Sequence, residues 1–351
     1  MRVVVVGATG NVGTSLVEAL GGDPDVESVL GLARRRPALT VAKTDWAEAD
    51  VAASDLVRHF RGADAVVHLA WLIQPSRDLD ALWRVNVHGS TRVFRAVAEA
   101  GVPALVYASS VGAYSPGPKD RRVDESWPTE GVAASFYARH KAEVERRLDR
   151  FEREHPGLRV VRLRPGLIFK REAASGIRRL FAGPLFPSPL ARRGLIAVVP
   201  RIAGLRFQGV HSRDVGDAYR LAVKRDVRGP FNVAAEPVLD PDELSRTLGA
   251  RPIGLPAWLA SAAASVTWRL HLQPTPPGWL DLALNVPLLD TTRAREELGW
   301  SPRYSASEAL LELIDGLRER AGTETPPLAP ASGGPLRVRE LVTGVGRREK
   351  H

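Results

Sequence analysis

The sequence of 351 residues contains no cysteine. This absence excludes disulfides, thiolate metal ligands and a cysteine nucleophile. Lysine is scarce as well, because only six of the 49 basic residues are lysine and 43 are arginine. The eight histidines are scattered without the spacing of metal ligands, so no metal site is predicted.

Long hydrophobic runs are also missing. The longest apolar stretch, residues 254–268, is too short to span a bilayer. We expect it to form a buried helix, with a helix lying on a membrane surface as the alternative. Arg2 is followed by only four apolar residues before a glycine, so no signal peptide is expected. These features predict a cytoplasmic protein without stable membrane insertion.

Acidic residues are too few to balance the basic ones, and the formal net charge is +9. The basic residues are dispersed, with small clusters at 34–36, 192–193 and 347–350. No basic stripe alternates with aromatic residues, so nucleic-acid binding is not predicted. A solvated surface with a few anion contacts accounts for the charge.

What the sequence does contain is an alternation of short aliphatic runs and longer helical patterns. The runs predict strands at 2–6, 28–33, 64–69, 104–108 and 158–163, and the patterns predict helices at 13–20, 78–100 and 135–154. This alternation is typical of an α/β fold with a parallel, doubly wound sheet. We expect this sheet within residues 1–165, with later strands from 205–235 as candidates to return to it. A smaller substrate-binding region is predicted over 166–320 and a flexible tail over 321–351.

The segment GATGNVG follows the first predicted strand and opens the first predicted helix. A helix N-terminus offers unpaired N–H groups, and glycines let a pyrophosphate approach the backbone. The layout therefore predicts a dinucleotide site, although its G-x-x-G-x-x-G spacing differs from the G-x-G-x-x-G fingerprint. The predicted contacts are Gly7, Thr9, Gly10, Asn11, Val12 and Gly13.

Arginines stand where the second strand should meet the adenosine ribose. An NAD site usually places an acid there, but this position holds Ala33, followed by Arg34, Arg35 and Arg36. A guanidinium forms bidentate hydrogen bonds with a phosphate. Because NADP carries a 2′-phosphate on this ribose, NADP is favoured over NAD. An exposed arginine turn in an arginine-rich chain is the alternative interpretation. Asp45, after the next short strand, is predicted to accept a hydrogen bond from the adenine amino group.

A serine pair and a Tyr-x-x-x-Lys spacing point to proton transfer. Ser109 and Ser110 end a predicted strand, and Tyr137 precedes Lys141 by four residues, which places both side chains on one helix face. A nearby ammonium should lower the pKa of a tyrosine by about 1–3 units. Such a tyrosine can exchange a proton with a substrate oxygen while hydride moves at a nicotinamide. A structural tyrosine beside a surface lysine is the alternative.

With these motifs the chain resembles the extended short-chain dehydrogenase/reductases, the NAD-dependent epimerase/dehydratase family. The resemblance covers roughly residues 1–318 and also includes HLA (68–70), VNVHGS, SSVGAY, RPG (164–166), VHSRDVGDA and LDTTRAREELGWSP. It implies a Rossmann-type sheet of about seven strands and a catalytic set of Ser110, Tyr137 and Lys141. The implied cofactor contacts are Leu69, Ala70, Asn86, Tyr137, Lys141, Pro165, Gly166 and Leu167. A homodimer built through the helices at 78–100 and 135–154 is a further arrangement that the resemblance suggests.

The sequence departs from the pattern of nucleotide-sugar members on the substrate side. Pro165 and Gly166 stand where many of them place an asparagine, and Phe207 replaces an arginine, with Arg206 one residue away. An apolar substrate wall is predicted from Trp71, Leu72, Ile73, Phe181 and Phe186, with Ser110 and Tyr114 as further substrate contacts; ordinary core packing is the alternative. His211 and Asp214 are expected to be structural.

We therefore expect an NADP-dependent oxidoreductase that acts on a small secondary alcohol or ketone. A nucleotide-sugar epimerase or dehydratase with tightly bound NAD is the second hypothesis, and a non-catalytic NADP-binding regulator is the third. The intact Ser–Tyr–Lys set argues against a regulator, because a sensor does not need an acid–base tyrosine.

Overall fold

The structure, a computed structural model, describes residues 1–73, 78–181, 196–270 and 275–329, with the side chains of Arg179 and Phe181 excepted. Its strands are β1 (Arg2–Val6), β2 (Ser28–Ala33), β3 (Thr44–Glu48), β4 (Ala65–His68), β5 (Ala104–Ala108), β6 (Arg122–Val123), β7 (Arg159–Pro165), β8 (Leu167–Phe169), β9 (Val198–Arg201), β10 (Gly209–His211), β11 (Gly229–Val233), β12 (Arg251–Gly254) and β13 (Leu288–Leu289).

The helices are α1 (Asn11–Gly21), α2 (Val57–Phe60), α3 (Leu79–Trp83), α4 (Gly89–Glu99), α5 (Phe136–Glu154), α6 (Ala174–Phe181), α7 (Ser212–Lys224), α8 (Pro241–Leu248), α9 (Ala257–Arg269), α10 (Gly278–Asn285), α11 (Thr292–Glu296) and α12 (Ala306–Glu319). A π-helical turn over Arg84–His88 joins α3 to α4. It interrupts the single helix that the sequence predicts over 78–100.

Seven parallel strands form the central sheet, in the spatial order β11-β7-β5-β4-β1-β2-β3. This confirms the predicted doubly wound α/β fold. The chain builds outward from β1 through β2 to β3, and then crosses to the other side of β1 to place β4. In such sheets ligands bind at the carboxyl ends of the strands, beside the point where the order reverses.

Both faces of the sheet are covered, which explains the valine run of β1. Val3 and Val5 face one core, with Leu16 of α1 and Val215 of α7. Val4 and Val6 face the other core, which also receives side chains from α4 and α5. Because successive side chains of a strand point to opposite faces, a strand buried on both faces must be apolar throughout.

Residues beyond β7 complete this sheet rather than forming only a separate region. β11 pairs with β7 at the sheet edge, from the stretch 205–235 named above. α7 lies against α1, where the hydroxyls of Ser15 and Ser212 are 3.0 Å apart. A Cβ on Gly216 would come within 2.9 Å of the Ser15 backbone, so the two helices meet closely because this position is glycine.

The apolar stretch 254–268 contradicts its prediction. The predicted helix is present, as α9, but none of its residues is buried. Apolar composition predicted the helix correctly and its burial wrongly, because composition does not determine which elements pack together. In the predicted tail, Thr325 and Leu328 are buried, and residues 330–351 lie outside the described residues.

No helix in the described part of the chain combines the length and the hydrophobicity that a membrane crossing requires. Within the same residues, no three His, Asp or Glu side chains come together as ligands for a metal ion.

Candidate active site

Three glycines at the β1–α1 junction, two in the loop and one in the first turn of α1, have different structural roles. Gly7 has a φ of +88°, and a Cβ there would lie 2.6 Å from the backbone nitrogen of Ala70. A Cβ on Gly13 would lie 2.4 Å from the carbonyl oxygen of Gly7. A Cβ on Gly10 would meet only that same oxygen, at 3.5 Å. Gly7 and Gly13 therefore let the loop fold against its neighbours, whereas a side chain at Gly10 would meet only an ordinary van der Waals contact.

The first turn of α1 fits a negatively charged group. Gly10 is the N-cap, no side chain caps the helix, and its first turn contains no acidic residue. The amides of Asn11 and Val12 begin this turn, next to the buried Thr9. Uncapped amides and the positive end of the helix dipole suit a pyrophosphate. The loop predicted for the dinucleotide thus has the donors that this ligand needs.

Lys170 adds a buried positive charge behind this turn, and the sequence analysis did not single it out. Its Nζ donates to the hydroxyls of Thr14 and Ser15, at 3.1 and 3.2 Å. Burial lowers the pKa of Lys170. It follows β8 directly, so its position at the end of a short apolar run, LIF, was the one local signal that the sequence offered.

The predicted ribose end of the site lies at the carboxyl end of β2. Arg34 and Arg35 follow this strand directly and are exposed. The backbone N–H of Arg36 donates to the Glu48 carboxylate on neighbouring β3, at 3.2 Å. The two predicted arginines are therefore at the correct sheet edge for an adenosine ribose, with one carboxylate nearby.

The prediction for Asp45 is wrong, because Asp45 lies within β3 rather than after it. It is the second residue of the strand and pairs with Leu30, far from the carboxyl edge. The first carboxylate after β3 belongs to Asp50, whose Oδ1 accepts a hydrogen bond from Ala52 N at 2.9 Å. The error arises because the strand boundary was placed before Asp45 instead of at Glu48.

Asn86 holds a loop of the site instead of facing it. Its side chain is fully buried in the π-helical turn. Asn86 Oδ1 accepts from Leu72 N at 2.8 Å, and its Nδ2 donates to Leu72 O at 3.0 Å. The loop after β4, with Leu69 and Ala70, is fixed at both ends by this pair of bonds and by the contact of Ala70 with Gly7.

The segment after β7 is fixed by its backbone. Pro165 ends β7, and the N–H groups of Gly166 and Leu167 donate to Val233 O and Gln208 O, at 3.0 and 2.9 Å. A Cβ on Gly166 would lie 2.5 Å from the latter oxygen. Residues 165–167 thus reach the carboxyl edge of the sheet, where the resemblance places them.

Ser110, Tyr137 and Lys141 come together at the carboxyl end of β5. Ser110 hydrogen-bonds the Tyr137 hydroxyl, and its Oγ accepts from Gly112 N at 3.0 Å. Lys141 Nζ donates to Ala108 O at 2.6 Å and lies 5.9 Å from the Tyr137 ring centroid. All three side chains are buried to more than nine-tenths.

The electrostatics of this set differ from the expectation. Burial raises the pKa of Tyr137 to about 12, against the opposing hydrogen bond from Ser110. Burial also lowers the pKa of Lys141 to about 7, against the opposing charge of Glu145. The predicted lowering of the tyrosine pKa by the lysine is therefore wrong for this structure, because desolvation outweighs any charge that Lys141 carries.

Two tryptophans enclose the catalytic tyrosine candidate. The Trp71 ring meets the Tyr137 ring edge-on at 6.0 Å, and Trp279 of α10 lies 5.0 Å away on a tilted plane. Lys141 Nζ sits 3.5 Å from the Trp71 ring centroid. Trp71 was predicted for the substrate wall, whereas Trp279 was missed because 142 residues separate it from Tyr137 and no local pattern links them.

Ser109 and Tyr114 belong to a buried ionic network. Ser109 Oγ donates to Glu145 at 2.5 Å, and Glu145 also binds Arg162 and Arg164, at 2.7 and 2.9 Å. These cations hold the pKa of Glu145 down at about 2, although burial opposes them. Two arginines two residues apart on a buried strand were the sequence signal for this network.

Tyr114 is fully buried, and its hydroxyl donates to Asn232 Oδ1 at 2.7 Å while accepting from Arg164 at 3.0 Å. Tyr114 was expected to contact substrate, but its side chain is packed in the core and its hydroxyl already has two protein partners. Phe186 and the side chain of Phe181 lie outside the described residues.

His211 and Asp214 have the structural roles predicted for them, and Arg206 lies beside Lys119, which was not predicted. His211 is fully buried beside the Glu312 carboxylate, 3.1 Å away, and Asp214 accepts from Tyr304 N at 3.0 Å. Lys119 Nζ donates to Arg206 O and to Ala283 O of α10, both at 2.8 Å. The guanidinium of Arg206 donates to Lys119 O at 2.5 Å.

Comparisons with known proteins agree with this architecture. An uncharacterized protein of Mycobacterium tuberculosis is 29% identical over 328 residues, which is 92% of this chain and 31% of that protein. The chain thus spans about a third of the length of this relative. L-arabinose 1-dehydrogenase (NAD(P)(+)) of Haloferax volcanii is 38% identical over 109 residues, or 31% of this chain and 41% of that enzyme.

Among solved structures, UDP-glucose 4-epimerase of Thermus thermophilus in complex with NAD superposes with a TM-score of 0.67. It is 23% identical, with 91% of this chain and 99% of that chain covered, which shows a common fold. Residues 3–181 match the model of the NAD dependent epimerase/dehydratase family. The matched segment holds the glycine loop and the Ser110, Tyr137 and Lys141 cluster, and the chain belongs to the NAD-dependent epimerase/dehydratase family.

Proposed function

We propose that this protein transfers hydride between a nicotinamide dinucleotide and a small substrate with a secondary alcohol or ketone. The observation that carries the proposal is the buried Tyr137 hydroxyl, hydrogen-bonded to Ser110 beside Lys141. When bound, the dinucleotide supplies or accepts the hydride. Tyr137 then donates its proton to the substrate oxygen during reduction and takes it back during oxidation.

The protonation states support the reductive direction near neutral pH. With a pKa of about 12, Tyr137 is a phenol and can act as an acid. Proton donation leaves a phenolate, which the Ser110 hydrogen bond and a protonated Lys141 stabilise. Ser110 also fixes the substrate oxygen against the tyrosine hydroxyl.

NADP is the proposed dinucleotide. The pyrophosphate would lie on the first turn of α1, over Gly10, and Lys170 would add positive charge behind it. Arg34 and Arg35 would receive a 2′-phosphate at the end of β2. Asp50 takes the place of Asp45 as the acceptor for the adenine amino group, because it follows β3.

An apolar, aromatic substrate is favoured by the tryptophans around Tyr137. The rings of Trp71 and Trp279 provide flat apolar surfaces next to the tyrosine. The buried Nε1 of Trp71 has no hydrogen-bond partner among the described residues, and it offers one donor to a bound molecule. This combination suits a ring or chain with a single oxygen at the reacting carbon.

A nucleotide-sugar epimerase or dehydratase is the second candidate. Lys119 and Arg206 form a pair of cations next to α10, the helix that carries Trp279. The buried Nε of Arg206 has no hydrogen-bond partner within the described residues. A diphosphate between nucleoside and sugar is a ligand that such a pair could bind, and the superposed solved epimerase was determined with NAD.

One experiment separates these functions. The purified protein is denatured, the released nucleotide is identified, and nucleotide-free protein is titrated with NADPH and NADH. Preference for NADPH together with turnover of ketones would support the first function, whereas retained NAD and turnover of nucleotide sugars would support the second. Tyr137→Phe should abolish turnover by either route and leave dinucleotide affinity unchanged; full turnover in this variant would contradict the proposed acid.

A further inference from the structure

Large exposed apolar side chains are concentrated in one part of the molecule. Seven are exposed among the described residues, and six of them belong to β9, β12 and α9 with its following residue. Only Leu79 lies elsewhere. The six side chains define what we term the α9 face: Val198, Ile253, Trp258, Leu259, Val266 and Leu270.

The exposed side of α9 carries large apolar side chains. The exposed helix positions 258, 259, 262, 263, 266 and 269 follow helical spacing and include Trp258 at 72% exposure and Val266 at 53%. Ser261, Ser265 and Thr267 are less exposed, and the last two bond backbone carbonyls of their own helix. In a helix that simply covers a core, the polar side would face water instead.

The two stretches of sequence that contain β9, β12 and α9 have no acidic residue. Residues 173–213 and 244–280 hold ten of the 49 basic residues and none of the 40 acidic ones. The rest of the chain therefore carries 39 basic and 40 acidic residues, and the net charge of +9 arises entirely from these two segments. The strands β9 and β12 of these segments pair with each other, which brings Arg201 of one segment and Arg251 of the other to the same small sheet.

Cations also border the α9 face itself. Arg251 begins β12 and Arg269 ends α9, and both are exposed. The neighbouring Arg201 is paired with Asp242, so it contributes less net charge. An apolar surface with tryptophan, bordered by exposed Arg251 and Arg269, is complementary to a membrane surface that contains anionic lipid, and the charge of the neighbouring Asp242 is balanced by Arg201.

We propose that the α9 face docks onto the surface of a membrane that contains anionic phospholipids. Trp258, Leu259, Val266 and Leu270 insert at the level of the headgroups, while Arg251 and Arg269 contact lipid phosphates. The helix lies in the plane of the interface and does not cross it. A second copy of the chain is a poorer occupant, because it would bring two arginine-bearing faces together.

The experiment is co-sedimentation of the full chain with vesicles of phosphatidylcholine alone or with roughly 30% phosphatidylglycerol. We expect binding to the anionic vesicles, weaker binding at high salt and little binding to phosphatidylcholine alone. The variant Trp258→Ser/Val266→Ser should bind at least about tenfold more weakly, because it removes buried apolar area. Arg251→Gln/Arg269→Gln should lose about fivefold per arginine.

Matched controls are Leu79→Ser, an exposed apolar residue outside the α9 face, and Arg150→Gln, an exposed arginine on α5. Both should bind vesicles as the unaltered chain does. Because α9 has no buried residue, the face variants should keep the thermal midpoint and the dinucleotide affinity.

Two results would overturn the proposal. Absence of binding to anionic vesicles would do so directly. A concentration-dependent dimer in analytical ultracentrifugation, lost in Trp258→Ser/Val266→Ser while vesicle binding persists, would assign the face to a second copy instead. Failure of the proposed hydride transfer would leave this experiment unaffected, since it needs no substrate.

Discussion

Tyr137 and Lys141 lie one turn apart on α5, and burial moves their pKa values toward the neutral form of each group. The pKa of Tyr137 rises to about 12, and that of Lys141 falls to about 7. Above pH 7 the site therefore tends to hold a neutral phenol next to a neutral amine. A bound anionic dinucleotide would favour the ammonium form of Lys141. That positive charge would then stabilise the tyrosinate form of Tyr137.

The buried lysine should reduce stability at neutral pH. Between pH 7 and its ordinary value of 10.5, the unfolded chain binds a proton at Lys141 that the folded chain does not bind. Stability contributed by this group therefore rises with pH across that window, by at most about 1.4 kcal/mol per pH unit. We expect Lys141→Met to be more stable than the unaltered chain at pH 7, and to lose this rise with pH.

Denaturant titrations at roughly pH 7, 8 and 9 measure this difference, with Lys43→Met as the control for an exposed lysine. The control should keep the pH dependence of the unaltered chain. An equal dependence in Lys141→Met would show that the lysine is solvated in the folded protein.

The adjacent serines should separate catalysis from stability. Ser110→Ala removes the hydroxyl beside Tyr137, and we expect turnover to fall by roughly 10²–10³-fold, with a stability loss of about 0.5–2 kcal/mol because Gly112 N loses its acceptor. Ser109→Ala removes one donor from the buried Glu145 and should cost about 1–3 kcal/mol of unfolding free energy. Steady-state kinetics and chemical denaturation of both variants test these assignments. A larger loss of turnover in Ser109→Ala than in Ser110→Ala would contradict them.

At the scale of elements, the β1–α1 loop shows what local sequence can and cannot determine. The valine run followed by glycines predicted the strand, the turn and the helix. The different roles of the glycines could not be predicted, because Gly7 is required by Ala70, which lies 63 residues further along the chain. In the same way, the apolar composition of α9 predicted a helix but could not reveal that nothing in the described residues buries it.

Substitutions in this loop should distinguish folding from binding. Gly10→Ala adds a methyl group whose one protein neighbour, the Gly7 carbonyl oxygen at 3.5 Å, is an ordinary contact, and we expect a normal thermal midpoint with dinucleotide affinity reduced by at least about tenfold. Gly13→Ala places its methyl group 2.4 Å from a backbone oxygen and should destabilise the whole domain, by about 1–3 kcal/mol. Calorimetry and NADPH titration of the two variants provide the measurement. Normal NADPH affinity in Gly10→Ala would contradict the placement of the pyrophosphate over Gly10.

For the whole molecule, the sequence predicted the catalytic spacing on α5 and most central strands, since both depend on local periodicity. It did not predict the partners that join distant segments. Trp279 reaches Tyr137 from α10, and Asn232 of β11 receives the Tyr114 hydroxyl. Such contacts depend on the three-dimensional arrangement of the chain, which no short window of sequence contains.

These distant contacts indicate that the family-matched segment is not a self-sufficient folding unit. Residues 3–181 match the family model, yet the sheet takes its last strand, β11, from residues 229–233 and a covering helix, α7, from 212–224. Phe231 and Val215 lie in the same core as Val3. A fragment that ends at residue 181 would keep α1 on this face of the sheet, but it would expose the part of the core that α7 covers and one edge of β7 to water.

We expect the fragment 1–181 to aggregate or to behave as a molten globule, with strong binding of a hydrophobic dye and no cooperative thermal transition. A chain ending at residue 329 keeps all the described elements and should unfold cooperatively, as the full chain does. Near-ultraviolet circular dichroism and calorimetry compare the two. A cooperative transition in the fragment 1–181 would show that β11 and α7 are additions to a core that is already complete, and the buried contacts of Phe231 and Val215 would then contribute little to holding the sheet together.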